Sequence, residues 1–155
     1  MVDGPAVSLR DVVETDLQIF FEQQLADEAT AMAAFPPRDA VAHEVHWTKI
    51  LADETVGAKT IVADEEVAGN VVSWMQDGHR EIGYWIGIDH WGRGIATKAL
   101  TQFVQVEKHR PLYAWVAEHN RGSIRVLQKC GFTLAAEQPE PQAGDVRYAV
   151  FELSG

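Results

Sequence analysis

The most informative segment of the chain reads Glu81-Ile82-Gly83-Tyr84-Trp85-Ile86-Gly87-Ile88-Asp89-His90-Trp91-Gly92-Arg93-Gly94-Ile95-Ala96-Thr97. An apolar, strand-like run ends at a short polar turn, and a glycine-punctuated loop leads directly into helix-forming sequence from Ala96 to Val106. The first N–H groups of a helix have no intrahelical partner and lie at the positive end of its dipole. Gly92 and Gly94 let the backbone approach a ligand closely, and Arg93 can pair with phosphate. The segment therefore predicts a binding site for a phosphorylated cofactor.

The composition limits what can surround this segment. The chain has 155 residues, a formal net charge of −10 and a single cysteine, Cys130. This length suits one domain over residues 1–155, and one cysteine permits no disulfide within the chain. Neither a signal-peptide pattern nor a membrane-length apolar run is visible, so we expect a cytoplasmic protein that does not associate with membranes. The acidic charge disfavours nucleic acid outside a local basic groove; it favours cationic acceptors such as amines, or serves solubility alone.

Before this segment, the sequence predicts a strand, two helices and two further strands. Thr15 or Asp16 suits the N-cap of the first helix, Asp39 suits that of the second, and Phe35-Pro36-Pro37 separates them. Two β-rich runs and the strand of the opening segment then form an antiparallel meander. The expected bounds are strand Val7–Arg10, a helix to about Asp27, a helix through Leu51, and strands Lys59–Ala63, Val67–Met75 and Arg80–Ile88.

After the segment, a helix over Gly92–His109 is expected to end before Pro111. A strand, a short helix and a final pair of strands follow, and Gly131 sits where a left-handed helix cap is expected. The order of elements predicts an α+β fold with a mixed central sheet. The expected bounds are Leu112–Ala117, helix Arg121–Cys130, Thr133–Glu137 and Val146–Leu153, with the loop Gln138–Asp145 between the last two strands.

Two motifs make the chain resemble a GNAT-superfamily N-acetyltransferase of the RimJ/RimL-like branch, which contains the ribosomal-protein alanine acetyltransferases. The first, Trp91–Thr97, is similar to the family's loop for the acetyl-CoA pyrophosphate. The second is similar to the family's other signature and reads Asn120-Arg121-Gly122-Ser123-Ile124-Arg125-Val126-Leu127-Gln128-Lys129-Cys130-Gly131-Phe132. Either motif alone is weak, but their separation by one helix and one strand makes the pair specific. The resemblance covers nearly the whole chain in element order.

The resemblance implies the GNAT fold: a mixed, mostly antiparallel sheet of about seven strands, splayed between the fourth and fifth, with about four flanking helices. Acetyl-CoA is then expected in the V between those two strands, and no metal is required. The expected cofactor contacts are the backbone of Ile86, Gly87 and Ile88 for the pantetheine arm, Trp91, Gly92, Arg93, Gly94, Ile95, Ala96 and Thr97 for the pyrophosphate, and Asn120 and Ser123 beside the pantetheine.

Two positions depart from the commonest pattern of the superfamily. Trp91 stands where Gln or Arg is frequent, and the RimJ/RimL-like branch tolerates Trp there. Leu127 stands where a tyrosine often faces the CoA sulfur, and leucine cannot donate a proton. In the RimL-like pattern a serine is the donor that faces the CoA sulfur, and Ser123 matches that serine.

Direct acetyl transfer needs a neutral amine, a donor to the thioester oxygen and a hydrogen bond or proton for the leaving thiolate. By resemblance, Glu81 is the expected general base; the structural alternative for Glu81 is a strand-end carboxylate that pairs with Arg80 or with a neighbouring strand. Glu118 and His119, just past the other splayed strand, are the rival bases. Ser123 is the expected donor to sulfur and also suits the N-cap or the first turn of a helix. Asn120 is expected to bind or orient the pantetheine.

The expected oxyanion donor is the backbone N–H near Ile86, which a strand bulge frees in this family. Other features have simpler interpretations. Cys130 is expected to be a packing residue, and His43 and His46 have no visible third ligand for a metal. Four aromatic residues of the central strands are expected to form core or cleft wall, with one or two of them lining the acceptor pocket: Trp74, Tyr84, Trp85 and Trp115.

The sequence therefore predicts an acetyl-CoA-dependent N-acetyltransferase that acts directly on a primary amine of a small molecule or a protein N-terminus. A GNAT-fold sensor that binds acyl-CoA without turnover is the alternative. A dinucleotide-binding fold is disfavoured, because its glycine loop follows the first parallel strand rather than an antiparallel meander. The acceptor, and whether the chain is a monomer or a homodimer, are open at this stage.

Overall fold

The computed structural model describes residues 4–33, 37–139 and 147–155. Within these ranges the strands are β1 (Val7–Asp11), β2 (Gly57–Ala63), β3 (Glu66–Gln76), β4 (His79–Ile86), β5 (Leu112–Ala117), β6 (Thr133–Leu134) and β7 (Tyr148–Leu153). They form one seven-stranded sheet in the order β1-β2-β3-β4-β5-β7-β6. The helices of the same ranges are α1 (Glu14–Gln24), α2 (Asp27–Ala33), α3 (Ala40–Ala52), α4 (Ile95–Val106) and α5 (Arg121–Lys129).

The sheet opens between its fourth and fifth strands. All neighbouring strands pair antiparallel except β4 and β5, which are parallel and pair only at Arg80 with Leu112 and at Glu81 with Tyr113. Beyond Glu81 the two strands diverge, so no strand of the described ranges lies beside the facing backbone edge of β4. This confirms the predicted GNAT fold with its mixed sheet and its splay, although five α-helices rather than about four flank the sheet.

The two faces of the sheet are covered by different helices. Alternate residues of a strand point to opposite faces. Ile82 and Ile86 of β4 belong to the main core, together with Leu100 and Phe103 of α4 and Leu127 of α5. The other face is covered by α1 and α3, whose buried Phe20 and Trp47 stack with ring centroids 4.9 Å apart. The opening between β4 and β5 therefore connects the two faces.

The start of the first helix differs from its prediction. The helix α1 begins at Glu14, so neither Thr15 nor Asp16 is its N-cap. Asp16 lies inside the first turn because its carboxylate accepts hydrogen bonds from the backbone N–H of Val13, from Arg10 and from Thr60. These contacts join α1 to β1 and β2, which local sequence cannot reveal.

The helix α2 was not predicted. The first helix ends at Gln24 rather than near Asp27, and α2 begins at Asp27. Acidic residues Asp27 and Glu28 occupy its first turn, where the helix dipole favours them. Its alanine-rich sequence lacks an apolar repeat, which explains why periodicity did not indicate it.

The other predicted elements are present with shifted ends. Asp39 caps α3 as predicted, accepting from the N–H of Ala42 at 2.8 Å. The strand β4 ends at Ile86, so Ile88 lies in a 3-10 turn (Ile88–His90) instead of the strand. The strand β6 is shorter than predicted, and α4 spans less than Gly92–His109. Phe35, Pro36 and most of the loop Gln138–Asp145, with Val146, lie outside the described residues.

The buried carboxylate of Asp16 supplies a pH-dependent part of the stability. Burial raises its pKa, but hydrogen bonds from Arg10, Val13 and Thr60 outweigh burial and lower the pKa to about 2. Asp16→Asn should therefore destabilise the fold by about 1–2 kcal/mol at neutral pH. The deficit should shrink as the pH falls from about 4 toward 2, because the unfolded carboxyl protonates first.

Urea unfolding at pH 7 and at pH 3 measures this contribution. Asp11→Asn is the matched control, because Asp11 pairs with Lys59 through a side chain that is 87% exposed. Exposed pairs contribute little, so its effect should be much smaller. A loss for Asp16→Asn that is the same at both pH values would contradict the assigned role.

Candidate active site

A cavity of about 510 Å³ lies where the sheet opens, between β4, the start of α4 and α5. Nine of the residues predicted to bind a cofactor line it: Ile86, Trp91, Gly92, Gly94, Ile95, Ala96, Thr97, Asn120 and Ser123. The structure thus brings both sequence motifs to one cavity, although they lie about one helix and one strand apart in the chain. Gly87, Ile88 and Arg93 of the predicted set are not among its lining residues.

The loop before α4 is built for close backbone approach. Gly92 and Gly94 have φ values of +75° and +76°, a region that side-chain-bearing residues rarely adopt. A Cβ built on either glycine would have no atom within 4 Å, so open space lies beside both. Gly94 caps α4, and the N–H groups of the first turn follow it at Ile95–Thr97. This geometry is suited to an anion at a helix N-terminus.

Trp91 connects this loop to the end of β4. Its indole Nε1 donates a hydrogen bond of 2.9 Å to the carbonyl of Ile86. Gly87 donates its N–H to Ala68 in β3, so by the alternation of an antiparallel ladder the backbone groups of Ile86 face the opposite, open side. The Trp91 ring therefore fixes the position of the loop relative to the cleft edge of β4.

The predicted bulge in β4 is absent. The pairing of β4 with β3 is regular from His79 to Ile86, and the register shift in this part of the sheet lies at Ile61/Val62 in β2. The end of the β4–β5 pairing at Glu81 leaves the cleft edge without a neighbouring strand in the described part of the chain, so no bulge is needed to open this edge. Gly83 in this strand leaves room for Trp74, whose ring lies 3.3 Å from where a Cβ on Gly83 would stand.

Cationic side chains reach the cavity from α5 rather than from the loop. Arg93 lies outside the lining and its guanidinium is 3.0 Å from the carboxylate of Asp64. Arg125 and Lys129, four residues apart and so on one face of α5, line the cavity. The i, i+4 spacing of these cations was the signal in the sequence that could have indicated them.

Asn120 and Ser123 form a local unit at the start of α5. Asn120 is the N-cap, and its side-chain oxygen accepts from the N–H of Ser123 at 3.2 Å. Ser123 therefore lies in the first turn and is not itself the cap. Its hydroxyl lies 2.5 Å from the hydroxyl of Tyr84 in β4, and either can be the donor.

Tyr84 lies at the site, and its position in the sequence indicated only core, cleft wall or part of an acceptor pocket, not a role for its hydroxyl. Burial raises its pKa to about 12, so the phenol keeps its proton at physiological pH. The Tyr84–Ser123 contact bridges the β4 side of the opening to α5, and both residues line the cavity. Because two hydroxyls share one hydrogen bond, the second proton of the pair can be offered to a group in the cavity.

The three candidate bases lie in different settings. Glu81 lies where β4 and β5 still pair, and it lines neither cavity described here. Burial raises its pKa, and its proposed structural partner Arg80 instead pairs with Glu107 at 2.8 Å. Glu118 and His119 are exposed, and the His119 ring contacts the carbonyl of Ala31 in α2 at 2.9 Å.

A second cavity of about 460 Å³ lies on the other face of the sheet, beneath α1 and α3. Tyr84 and Trp85 line both cavities, so the two meet at this point of β4. In the described ranges, no group of three or more His, Cys, Asp or Glu side chains is placed to hold a metal ion. No helix of the described part of the chain is long and apolar enough to cross a bilayer.

Comparisons with known proteins agree with this geometry. The profile of the family described as "Acetyltransferase (GNAT) domain" matches residues 7–133. No curated protein sequence matches the chain. Among solved structures, it is similar to spermidine N-acetyltransferase from Vibrio cholerae in complex with CoA and spermine, with 16% identity, 96% and 95% of the two chains covered and a TM-score of 0.81.

Two further solved structures share the fold. One is RimL, the ribosomal L7/L12 alpha-N-protein acetyltransferase in complex with CoA, with 18% identity, 96% and 93% coverage and a TM-score of 0.78. The other is the aminoglycoside acetyltransferase AAC(6')-Ib with CoA and kanamycin, with 22% identity, 94% coverage of both chains and a TM-score of 0.73. At these identities the similarity establishes the fold alone.

Proposed function

The chain belongs to the GNAT acetyltransferase family, and on this basis we propose that it is an acetyl-CoA-dependent N-acetyltransferase that transfers acetyl directly to a primary amine. The acceptor is a small molecule or a protein N-terminus. The observation that carries the proposal is the cavity in the sheet opening, where the glycine loop and the start of α5 converge. The CoA bound in the similar solved structures supports it.

The first cavity accommodates acetyl-CoA in a defined direction. The pyrophosphate lies on the Gly92–Thr97 loop, where the N–H groups of α4 and its dipole favour negative charge. Arg125 and Lys129 add positive charge to the same cavity. The pantetheine arm runs along the cleft edge of β4 near Ile86, and Asn120 holds the start of α5 beside it.

The chain's residues then act on three groups of the reaction. The N–H of Ile86 on the cleft edge of β4 donates to the thioester oxygen as it gains charge. The Ser123 hydroxyl, paired with Tyr84, donates to the sulfur as the C–S bond breaks. A base removes the proton from the amine before or during its attack on the carbonyl carbon, so one proton leaves nitrogen and one reaches sulfur.

Trp91 and Ser123 support placement in the RimJ/RimL-like branch, since both match that branch where the wider superfamily differs. We propose a cytoplasmic location, and a monomer or homodimer, as is consistent with the composition.

Glu81 is the proposed general base, acting directly or through water. A raised pKa brings its carboxyl nearer to neutral pH, where a base is most effective. Glu81→Gln should lower turnover by about 100-fold at pH 6, where the acceptor is most protonated. The loss should shrink toward pH 9–10, because an amine that is already neutral needs no base.

The pH profile of thiol release measures this effect in parallel for Glu81→Gln, Glu118→Gln and His119→Gln. A pH-dependent loss of turnover in one of the other two variants would identify that residue as the general base instead. An equal loss at every pH for Glu81→Gln would indicate a structural role at the base of the splay.

An acceptor screen tests the function as a whole. Release of CoA thiol with an amine, together with a mass increase of the amine by one acetyl group, is the expected result. Acetyl-CoA binding without thiol release for any amine would favour the sensor alternative instead.

A further inference from the structure

If the proposed function is correct, the acceptor reaches the thioester through the second cavity. It meets the first cavity at Tyr84 and Trp85, which line both. Trp85 is held in place because its indole Nε1 donates to the carbonyl of Gln23 in α1 at 3.3 Å. An amine that enters from this face approaches the sheet opening beside Trp85, while the cofactor enters from the other side. The lining of this cavity therefore carries information on the acceptor.

The walls of the second cavity are apolar and largely aromatic. Phe20, Trp47, Trp74 and Trp85 line it, and Trp74 lies over Gly83, which has no Cβ to displace the ring. The volume of about 460 Å³ is in the usual range for a small-molecule site. These walls fit a bulky apolar or aromatic group, because flat rings offer dispersion and stacking contacts.

The ionisable residues of the lining differ in kind from those of the chain as a whole. The chain has a net charge of −10, yet no Asp or Glu is among the described residues that line this cavity. Its ionisable lining residues are Arg38, His43 and His46. Burial lowers the pKa of both histidines, and the nearby charge of Arg38 lowers each further. At neutral pH the histidines are therefore uncharged and Arg38 supplies the positive charge.

Arg38 lies on a segment that is fixed to the helices around the cavity. The side chain of Gln24 in α1 accepts from the N–H of Arg38 at 2.8 Å and donates to its carbonyl at 2.6 Å. The next residue, Asp39, caps α3. A cation on such a preorganised segment can hold an anionic group with little loss of chain entropy.

We propose that the acceptor is a primary amine that also carries a carboxylate and a bulky apolar or aromatic body, as an aromatic amino acid does. Its carboxylate pairs with Arg38, its body lies among the tryptophans, and its amine points to the junction of the two cavities at Tyr84 and Trp85. A polycationic acceptor lacks carboxylate partners in this lining and meets the charge of Arg38.

Two matched amines test the carboxylate requirement. Phenylalanine and phenylethylamine share the aromatic body and a primary amine, but only phenylalanine has the carboxylate. We expect kcat/KM for thiol release to be at least about 10-fold higher with phenylalanine, and higher with phenylalanine than with spermine or kanamycin. Better use of spermine, kanamycin or phenylethylamine would overturn the proposal while leaving acetyl transfer intact.

Variants of Arg38 test whether this residue causes the preference for phenylalanine over phenylethylamine. Arg38→Gln should reduce the phenylalanine rate about 10-fold or more while leaving the phenylethylamine rate within about twofold, and Arg38→Lys should retain part of the preference. Lys49→Gln is the control for a general charge effect, because Lys49 acts on the His46 pKa but does not line the cavity. Equal losses for both amines in Arg38→Gln would contradict the pairing.

Binding measurements separate this proposal from the proposed function. Calorimetric titration of phenylalanine into the CoA-loaded protein should show binding that Arg38→Gln weakens about 10-fold, whether or not turnover occurs. Binding without thiol release would support the pocket assignment and count against catalysis. Absence of phenylalanine binding to the CoA-loaded parent protein would overturn the pocket assignment.

Discussion

Replacing Gly94 with aspartate should abolish acetyl-CoA binding. Gly94 adopts φ of +76° immediately before α4, and a side chain there would project into open space beside the helix N-terminus. The carboxylate would occupy the proposed pyrophosphate position and carry the same charge as the ligand. Backbone strain and charge repulsion together should weaken acetyl-CoA affinity by at least about 100-fold, or about 3 kcal/mol.

Gly78→Asp is the matched control for this substitution. Gly78 has φ of +82° and open space around its Cβ position, but it lies in the turn between β3 and β4. It should carry the same backbone strain without affecting affinity. Gly94→Ala adds backbone strain without adding charge. Its acetyl-CoA affinity should therefore fall between those of Gly94→Asp and Gly78→Asp. Unchanged acetyl-CoA affinity in Gly94→Asp, measured by calorimetry, would refute the cofactor site.

Removing the hydroxyls of Ser123 and Tyr84 should cost turnover rather than cofactor affinity. The two oxygens are 2.5 Å apart, so either substitution alone removes the shared hydrogen bond. Ser123→Ala should lower kcat by about 100-fold, in the range observed when a transition-state donor is lost. Tyr84→Phe should have a similar effect, because Ser123 then loses the partner that directs its proton.

The double variant tests whether the pair acts as one unit. Ser123→Ala/Tyr84→Phe should lose little more than either single variant, since residues that act together are not additive. Tyr113→Phe is the control, because Tyr113 lies in β5 against the ring of His79 and does not line the first cavity. A kcat at the parent level in Ser123→Ala would show that this serine has only a structural role in α5. Losses that add strictly in the double variant would contradict the proposal that Ser123 and Tyr84 act as one unit.

The sequence predicted the sheet because its signals are local and repeated. Alternating apolar residues and turn residues indicated the meander, and the two motifs placed the splay between β4 and β5. The helix α2 lacks such a signal, because its short alanine-rich run has no apolar period. The role of Asp16 also escaped prediction, since its partner Thr60 lies 44 residues away in the chain.

The candidate site was predicted as far as its motifs extend. The loop at Gly92–Thr97 and the pair Asn120 and Ser123 came from continuous sequence, and all of them except Arg93 line the cavity. The contact of Tyr84 with Ser123 joins residues 39 positions apart. Only the folded sheet reveals which face of β4 carries that side chain. The second cavity combines α1, α3 and the strands β3 and β4, so its charge cannot be derived from the net charge of the chain.

Mapping CoA onto the amide spectrum of the protein tests the central claim most directly. The cofactor is proposed to lie in the opening between β4 and β5, against the glycine loop and the start of α5. Titration with CoA should therefore shift the amide signals of Ile86, Gly92–Thr97 and Asn120–Ser123, while those of the β3–β4 turn at Asp77 and Gly78 stay unchanged. Shifts confined to other parts of the sheet, or saturation without any change at the glycine loop, would contradict it.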